Sequence, residues 1–95
     1  MSKMDYIADC KGLEVLIETQ QKEMREETAR MFKEQRKEIG LTQTELGRRI
    51  GIPQSNVTRF ESGNYNPTLE FLVKMAAAMG KKVKVSLEDQ ETPAK

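Results

Sequence analysis

Four polar side chains that could bind nucleobases lie within a six-residue stretch of this chain. The carboxamide of Gln54 can donate and accept a hydrogen bond at once, which matches N6 and N7 of adenine. The guanidinium of Arg59 presents two donors that match O6 and N7 of guanine. Ser55 and Thr58 are short enough to reach a base edge, a thymine methyl or a phosphate. We expect Gln54, Ser55, Thr58 and Arg59 to contact bases, provided that one structural element holds them on the same exposed side.

The residues before this stretch predict a short helix with defined ends. Thr42 and Glu45 have the spacing of a capping box, in which the Thr hydroxyl accepts from the backbone three residues on and the Glu carboxylate accepts from the Thr N–H. A helix is therefore predicted to begin at Gln43. Gly51 can adopt the left-handed conformation that ends a helix, so we expect the helix to stop at Ile50.

A second helix is predicted almost immediately after the first. Pro53 fixes a backbone angle suited to a first helical turn, and the helix should run from Gln54 to about Ser62 before Gly63 ends it. Two helices joined by so short a turn cannot lie parallel, and they form the crossed pair of a helix-turn-helix. Its inward-facing residues are predicted to be Val57 and Phe60.

The same segment carries a longer set of residues at fixed spacing: Arg36, Gly40, Leu41, Thr42, Gln43, Glu45, Leu46, Gly51, Ile52, Gln54, Val57, Thr58, Arg59, Glu61, Gly63 and Pro67. This set resembles the phage-repressor and Cro-like (Xre) helix-turn-helix family, and the resemblance extends from Arg36 to Gly80. It implies an all-α, lambda-repressor-like bundle of four to five helices, whose second motif helix enters the major groove of double-stranded DNA.

Two positions depart from the family pattern. Gly47 stands where the family usually has Ala, which should cost the helix about 1 kcal/mol and is consistent with a close crossing of the two helices. Pro53 replaces the usual capping Ser or Thr, so no side chain there can accept from the first N–H groups of the second helix. Neither departure changes the expected fold.

The resemblance also implies a structural ion pair between Arg36 and Glu61, which would tie the first helix of the bundle to the recognition helix. With Glu61 neutralised in this way, the outward-facing charge of the motif is positive. The alternative is that both residues are solvated charges, which contribute about 0 to 1 kcal/mol when exposed.

Phosphate contacts are expected at the beginning of the first motif helix and in the loop after the second. Unpaired N–H groups and the helix dipole favour an anion near Thr42 and Gln43. The expected loop contacts are Asn64, Tyr65 and Asn66. Asn56 could contact a base or a phosphate or simply lie on the surface. For the loop residues the alternative is solvation, and for the Tyr65 side chain it is a packed ring.

A long helix, or two in series, is predicted from Gly12 to Ile39, because this stretch lacks proline and is rich in good helix formers. From about Thr28 it should be the first helix of the DNA-binding bundle, with Phe32 in the core. The earlier part carries an apolar stripe that the bundle does not need: Leu13, Leu16, Ile17 and Met24. A coiled-coil-like contact in a dimer, a partner protein, or folding back onto the domain could cover it.

Beyond the motif, Thr68 should cap a fourth helix from Leu69 to Met79. Residues 82–87 then alternate between polar and apolar, which is the pattern of a half-buried strand. Its apolar residues are Val83, Val85 and Leu87. A single strand in a helical domain must pair with the same strand of a second copy or with a partner's sheet edge. The predicted units are a helical extension at 1–27, the helix-turn-helix domain at 28–80, a dimerisation strand at 81–88 and a disordered tail at 89–95.

The long first helix and the terminal strand together resemble HigA-type antitoxins of type II toxin–antitoxin operons, and the strand is also similar to the dimer strand of HipB-type antitoxins. This resemblance implies a homodimeric repressor that binds a palindromic operator in its own operon and neutralises a RelE- or HigB-like toxin. A stand-alone Xre-family regulator and a protein-interaction adaptor that never contacts DNA are the alternatives.

Composition excludes several other classes of function. The net charge is only +1, which argues against a polybasic DNA-coating protein. The chain has no histidine and a single cysteine, Cys10, so neither a metal site nor an enzyme is indicated, and no cofactor or small-molecule substrate is expected. Without a paired cysteine, a signal-peptide core or a membrane-length apolar run, the expected location is the cytoplasm.

Overall fold

The computed structural model describes residues 10–90, and these form four helices: α1 (Cys10–Glu38), α2 (Gln43–Ile50), α3 (Gln54–Glu61) and α4 (Leu69–Ala78). The prediction of an all-helical bundle is confirmed. The first nine residues of the predicted extension, and residues 91–95 of the predicted tail, lie outside the described part of the chain.

Helix α1 is one continuous helix of 29 residues rather than two helices in series. Its sequence consists mainly of residues with high helix propensity and contains no proline, so nothing interrupts it. It is followed at Gly40 by a positive φ of 81°, a conformation that glycine adopts without strain. The chain therefore turns immediately after α1 and enters α2.

The predicted caps of α2 are present. The Thr42 hydroxyl accepts from the Glu45 N–H at 3.0 Å, and the Glu45 carboxylate accepts from the Thr42 N–H at 2.8 Å. At the other end Gly51 is left-handed with φ 75°, and its N–H donates to the Gly47 carbonyl. Helix α3 begins at Gln54 after Pro53, which provides no side-chain cap, as the sequence predicted.

The core lies where α2, α3 and α4 meet, and its buried residues are Leu46, Val57, Phe60, Met75 and Met79. Phe60 is at the centre of an aromatic cluster, edge-on to Phe32 of α1 at 5.4 Å and to Phe71 of α4 at 5.2 Å between ring centroids. Edge-to-face contacts of this kind stabilise a core beyond simple area burial. The cluster therefore joins α1 and α4 to α3.

The crossing of α2 and α3 is close at Gly47. A Cβ atom on Gly47 would lie 2.7 Å from the backbone carbonyl oxygen of Ile52, well inside van der Waals contact. The glycine therefore allows the turn between the two helices to pack against α2, which accounts for the departure from the alanine usual in the family.

Helix α4 begins at its predicted cap, since the Thr68 hydroxyl accepts from the Phe71 N–H at 3.0 Å. It ends at Ala78, one residue earlier than predicted. Arg49 of α2 donates to the Ala78 carbonyl at 2.7 Å, which satisfies an acceptor that the helix end leaves open. The two helices are thereby tied together by a side chain as well as by core packing.

The first half of α1 extends away from this core. Among residues 11–24 every residue is exposed except Leu16, which is half-buried. In the apolar stripe, Leu13 is 39%, Ile17 46% and Met24 55% exposed. The described part of the chain therefore leaves most of this stripe uncovered.

The C-terminal segment carries no strand: within residues 10–90 all regular structure is helical, and residues 81–90 follow α4 without a repeating hydrogen-bond pattern. The prediction of a strand is therefore not met in the isolated chain. Among residues 10–90 no second strand lies beside this segment as a ladder partner, so it makes no strand hydrogen bonds there. Val83 is half-buried, whereas Val85 is 70% and Leu87 97% exposed. Pairing of this segment with a second chain stays a prediction.

Candidate nucleic-acid interface

Helix α3 presents one polar face to solvent and one apolar face to the core. Val57 and Phe60 are 0% and 1% exposed, which matches their predicted inward orientation. The four residues expected to contact bases are all exposed, on the same short helix: Gln54, Ser55, Thr58 and Arg59. Because an eight-residue helix packed on its core through these two side chains has little freedom to rotate, the polar face has a fixed orientation.

A buried ion pair connects the end of α1 to the end of α3. The Arg36 guanidinium donates from Nε to Glu61 Oε2 at 2.6 Å and from Nη2 to Glu61 Oε1 at 3.0 Å, and the two side chains are 8% and 3% exposed. Its third nitrogen, Nη1, donates to the Leu41 carbonyl at 2.7 Å. Every nitrogen of the buried guanidinium is thus paired, which a buried charge requires.

The pKa of Glu61 reflects two opposing effects. Burial of the carboxylate raises the pKa, whereas the hydrogen bonds from Arg36 and Gln43, together with the positive charges of Arg36 and Lys33, lower it. The hydrogen bonds and charges outweigh burial, and the net result is a pKa below the ordinary value of a glutamate. Glu61 is therefore ionised at neutral pH.

Gln43 connects this ion pair to the exposed face of α3. Its Nε2 donates to Glu61 Oε1 at 2.9 Å. Its Oε1 accepts from the Thr58 hydroxyl at 2.8 Å and from Gln54 Nε2 at 3.2 Å. A continuous hydrogen-bonded chain thus runs from Arg36 through Glu61 and Gln43 to two of the expected base contacts. Sequence reasoning placed Gln43 only near phosphates and missed this connection, because the partners lie 11 to 18 residues away.

These contacts leave the hydrogen-bonding groups needed for DNA available. A carboxamide has two N–H donors and a carbonyl acceptor. Gln54 uses one N–H on Gln43, so its other N–H and its Oε1 can still bind adenine. Gln43 uses one N–H on Glu61, and its second N–H remains for a phosphate. The chain of contacts therefore restrains Gln54 and Gln43 without exhausting them.

Arg59 lies at the other end of the polar face, where its guanidinium carbon is 5.8 Å from the centroid of the Tyr65 ring. A cation over an aromatic face is attracted by the ring quadrupole. Tyr65 itself is half-buried and edge-on to Phe60 and Phe71. The Tyr65 ring is thus packed, which is the alternative that the sequence left open, and it also restrains Arg59. A phosphate contact by Tyr65 stays a prediction.

The beginning of α2 is partly used by its own cap. Thr42 and Glu45 satisfy each other, and the backbone hydrogen bond from Thr42, its hydroxyl, and the charges of Arg49 and Arg48 lower the pKa of Glu45. The N–H groups of Gln43 and Thr44 take no part in the cap or in another hydrogen bond among the described residues. These two N–H groups can donate hydrogen bonds to a phosphate oxygen.

Three other residues were expected to contact phosphates: two lie in the loop after α3, and one lies in α3 itself. Asn64 and Asn66 are exposed, and Asn56 is half-buried. Arg25 of α1 donates to Asn66 Oδ1 at 3.5 Å, which adds a positive charge beside this loop. No sequence signal identified Arg25, since it lies 41 residues before its partner and outside the motif.

Comparison with known proteins agrees with this geometry. A family model described as helix-turn-helix matches residues 32–85, more than half of the chain. The chain belongs to this helix-turn-helix family. Two relatives, both named as uncharacterized HTH-type transcriptional regulators, illustrate the extent of similarity. The helix-turn-helix protein of Methanothermobacter thermautotrophicus is 39% identical over 51 residues, which are 54% of this chain and 74% of the relative. That of Sinorhizobium fredii is 36% identical over 72 residues, 75% of this chain and 94% of the relative.

Two further features of this helix-turn-helix protein concern metal sites and membrane-spanning helices, and both refer to residues 10–90. No three His, Cys, Asp or Glu side chains in that range come together as a possible metal site. None of its helices there combines the length and apolarity needed to span a membrane.

Proposed function

We propose that this protein is a cytoplasmic, sequence-specific DNA-binding repressor that acts as a homodimer on a palindromic operator. The observation that carries the proposal is the exposed polar face of α3, where Gln54 and Thr58 are held by Gln43 above a rigid core. Residues restrained before binding lose less side-chain entropy when they contact a base. The two relatives named as transcriptional regulators support the same class of function.

In this proposal α3 enters the major groove with its N-terminal residues against base edges. Gln54 contacts adenine, Arg59 contacts guanine, and Ser55 supplies a shorter contact to a base or phosphate. Thr58 donates its O–H to Gln43, so it contacts a base as an acceptor or through its methyl group. The N–H groups at the start of α2 and the loop of Asn64 to Asn66 hold the sugar-phosphate backbone on either side, with Asn56 beside them. Contacts of the second kind fix the position of the helix but do not select the sequence.

Selection from pooled random duplexes, followed by binding titrations at several salt concentrations, tests the proposal. A repressor of this kind should enrich one inverted repeat with half-sites about 34 Å apart. A protein-interaction adaptor would enrich no sequence. Each phosphate neutralised by a Lys or Arg adds about 0.9 to the slope of log affinity against log salt. The proposed phosphate contacts are N–H groups and uncharged side chains, so we expect a modest slope.

The homodimer is proposed because the domain is small and its C-terminal segment is uncovered. A domain this small gains stability by pairing, and two half-sites bind more tightly than one. Residues 81–88, with Val83, Val85 and Leu87 exposed or half-buried, are proposed as the strand that pairs with a second copy. Truncation after Gly80 should then give a monomer by light scattering, whereas an unchanged dimer would refute pairing through this segment.

An antitoxin is the second candidate, and one specific observation favours it over a plain regulator. The first half of α1 carries the exposed side chains of Leu13, Ile17 and Met24, and the DNA-binding face uses none of them. An apolar helical stripe outside the domain is a suitable surface for a partner protein. In this version the protein binds a RelE- or HigB-like ribonuclease toxin through α1 and represses its own operon.

Isolation of the protein from its native host, with identification of what elutes with it, tests the antitoxin version. A small ribonuclease whose activity is suppressed by the added chain would support it. The matched variant is Leu13→Asp with Ile17→Asp, which should release the ribonuclease while keeping DNA affinity, because neither residue lies on α3 or lines a groove beside the C-terminal segment. Suppression by this variant as strong as by the natural chain would contradict the assignment of α1.

A further inference from the structure

The C-terminal segment after α4 presents an open backbone edge. Lys81 donates to the Ala76 carbonyl at 2.8 Å, and residues 82–88 make no backbone–backbone hydrogen bond with other described residues. In the sequence of this segment aliphatic residues alternate with polar ones, which is the pattern of a strand. An open row of N–H and C=O groups of this kind is a template for pairing with another strand.

From this segment we infer the register of the dimer: two copies pair antiparallel about a two-fold axis at Val85. The inference rests on the homodimer proposed above and specifies its interface. In this register Val85 lies opposite Val85 of the second copy, Val83 lies opposite Leu87, and Lys82 lies opposite Glu88. Directly opposite residues lie on the same face of an antiparallel pair. The three aliphatic residues of each copy therefore meet only aliphatic residues on one face, and the Lys82 and Glu88 side chains meet as opposite charges on the other face.

The neighbouring registers are less favourable for identifiable reasons. An axis at Lys84 places two Lys84 side chains directly opposite each other, and like charges in that position destabilise a pair. An axis at Ser86 places Val83 opposite Asp89, which opposes an aliphatic side chain with a carboxylate. An axis between two residues places aliphatic side chains opposite polar ones along the whole segment, because the side-chain period of a strand is two.

Helix α1 provides a surface for the aliphatic face of this ribbon. The groove between α1 and residues 85–90 is lined on the helix side by Gln20, Met24 and Glu27. The adjoining groove, beside residues 81–84, is lined by Met31 among others. Met24 and Met31 are 55% and 48% exposed in the single chain. Pairing of two chains brings six aliphatic side chains onto one face of the ribbon beside these methionines, and their flexible side chains adapt readily to such contacts.

Single-cysteine crosslinking of the full-length protein tests the register. In a Cys10→Ser background, cysteine is introduced separately at positions 84, 85 and 86, and each variant is oxidised under mild conditions. Self-opposed residues have Cα atoms about 4.5 to 5.5 Å apart, inside the disulfide range. Val85→Cys should therefore give a covalent dimer, whereas Lys84→Cys and Ser86→Cys should remain largely uncrosslinked. Faster crosslinking at position 84 or 86 would overturn the register.

Charge-reversal variants test the same register independently of crosslinking. Lys82→Glu and Glu88→Lys should each weaken dimerisation about tenfold at low salt, because two symmetric attractive pairs become repulsive. The double variant Lys82→Glu with Glu88→Lys should restore dimerisation, and Lys84→Glu with Glu88→Lys should not. Rescue by the second combination alone would instead place the axis at Ser86.

The two possible failures are distinguishable. A chain that remains dimeric by light scattering and selects an inverted repeat, yet shows neither the Val85 crosslink nor the Lys82 rescue, would refute the register and leave the repressor intact. A chain that is monomeric and selects no sequence would remove the proposed function together with the register.

Discussion

The carboxylate of Glu61 accepts hydrogen bonds from both Arg36 and Gln43, at 2.6 to 3.0 Å. One buried group thus joins the stability of the domain to the orientation of its DNA-binding face. Arg36 neutralises the charge that burial would otherwise make costly, and Gln43 extends from the same carboxylate to Gln54 and Thr58. The predictions below separate these two roles.

Loss of the guanidinium should destabilise the domain strongly. Arg36→Ala leaves the Glu61 carboxylate buried without its cation, which costs about 3 to 5 kcal/mol when a pair is broken this way. In a chain of this size that corresponds to a fall in melting temperature of at least about 10 °C, measured without DNA. The double variant Arg36→Met with Glu61→Leu removes both charges and should recover most of the loss. A double variant as unstable as Arg36→Ala would show that the pair is not the cause.

The ion pair should also make stability depend on pH in the acid range. The pKa of Glu61 is lowered by folding, so its contribution is fully present above the unfolded pKa of about 4.3 and is lost as the pH falls through the lower folded pKa. The difference in melting temperature between the natural chain and Glu61→Gln should therefore be constant from about pH 5 to 8 and shrink below about pH 4. Glu45, whose pKa is also lowered, is present in both proteins and cancels. A difference that does not change with pH would contradict an ionic contribution.

Removal of the Gln43 carboxamide should affect binding more than stability. Gln43→Leu keeps the size of the side chain but releases Gln54 and Thr58, while Arg36 still neutralises Glu61. We expect a loss of only about 1 kcal/mol in the free energy of unfolding, together with about a tenfold loss of affinity for the selected duplex. The control is Thr19→Leu on the exposed part of α1, a position that lines neither groove beside the C-terminal segment, and it should change neither quantity. Equal affinity of the two variants would remove the positioning role of Gln43.

Substitution of Arg59 should relax sequence choice. Arg59→Ala is expected to lose about 1 to 3 kcal/mol of binding free energy on the preferred site and to lose discrimination at one position per half-site. Gln54→Ala should behave in the same way at a different position. Arg48→Ala on α2 removes the same charge from an exposed site and should weaken binding to all duplexes by the same factor. If Arg59→Ala also weakened every duplex equally, Arg59 would be a phosphate contact.

Alanine at Gly47 should destabilise the motif even though alanine is the better helix former. The gain in helix propensity is about 1 kcal/mol, whereas a Cβ lying 2.7 Å from the Ile52 carbonyl oxygen forces the backbone of the turn to move. Overpacking of this kind typically costs about 1 to 3 kcal/mol, so we expect a lower melting temperature. Ala77→Gly on the exposed face of α4 calibrates the propensity difference alone. A Gly47→Ala variant more stable than the natural chain would show that the turn can relax without cost.

The sequence by itself determined α2 and α3 and the cap at which α4 begins. Thr42 with Glu45, Gly51 and Thr68 define their caps through contacts with residues only a few positions away, so spacing alone was sufficient to locate them. The exposed and buried sides of α3 also followed from helical periodicity, with Val57 and Phe60 inward. The continuous α1 was left undecided because helix propensity does not distinguish one long helix from two.

Only the tertiary structure decided how distant side chains meet. The contacts of Gln43 with Gln54, Thr58 and Glu61, and of Arg59 with Tyr65, depend on the angle at which α2 and α3 cross, and no local pattern encodes that angle. The strand predicted at residues 82–87 shows that a local sequence pattern is not sufficient to form a strand. Its alternation is a local property of the sequence, but the hydrogen bonds of a strand require a partner strand, and the part of the chain that the structure describes contains none.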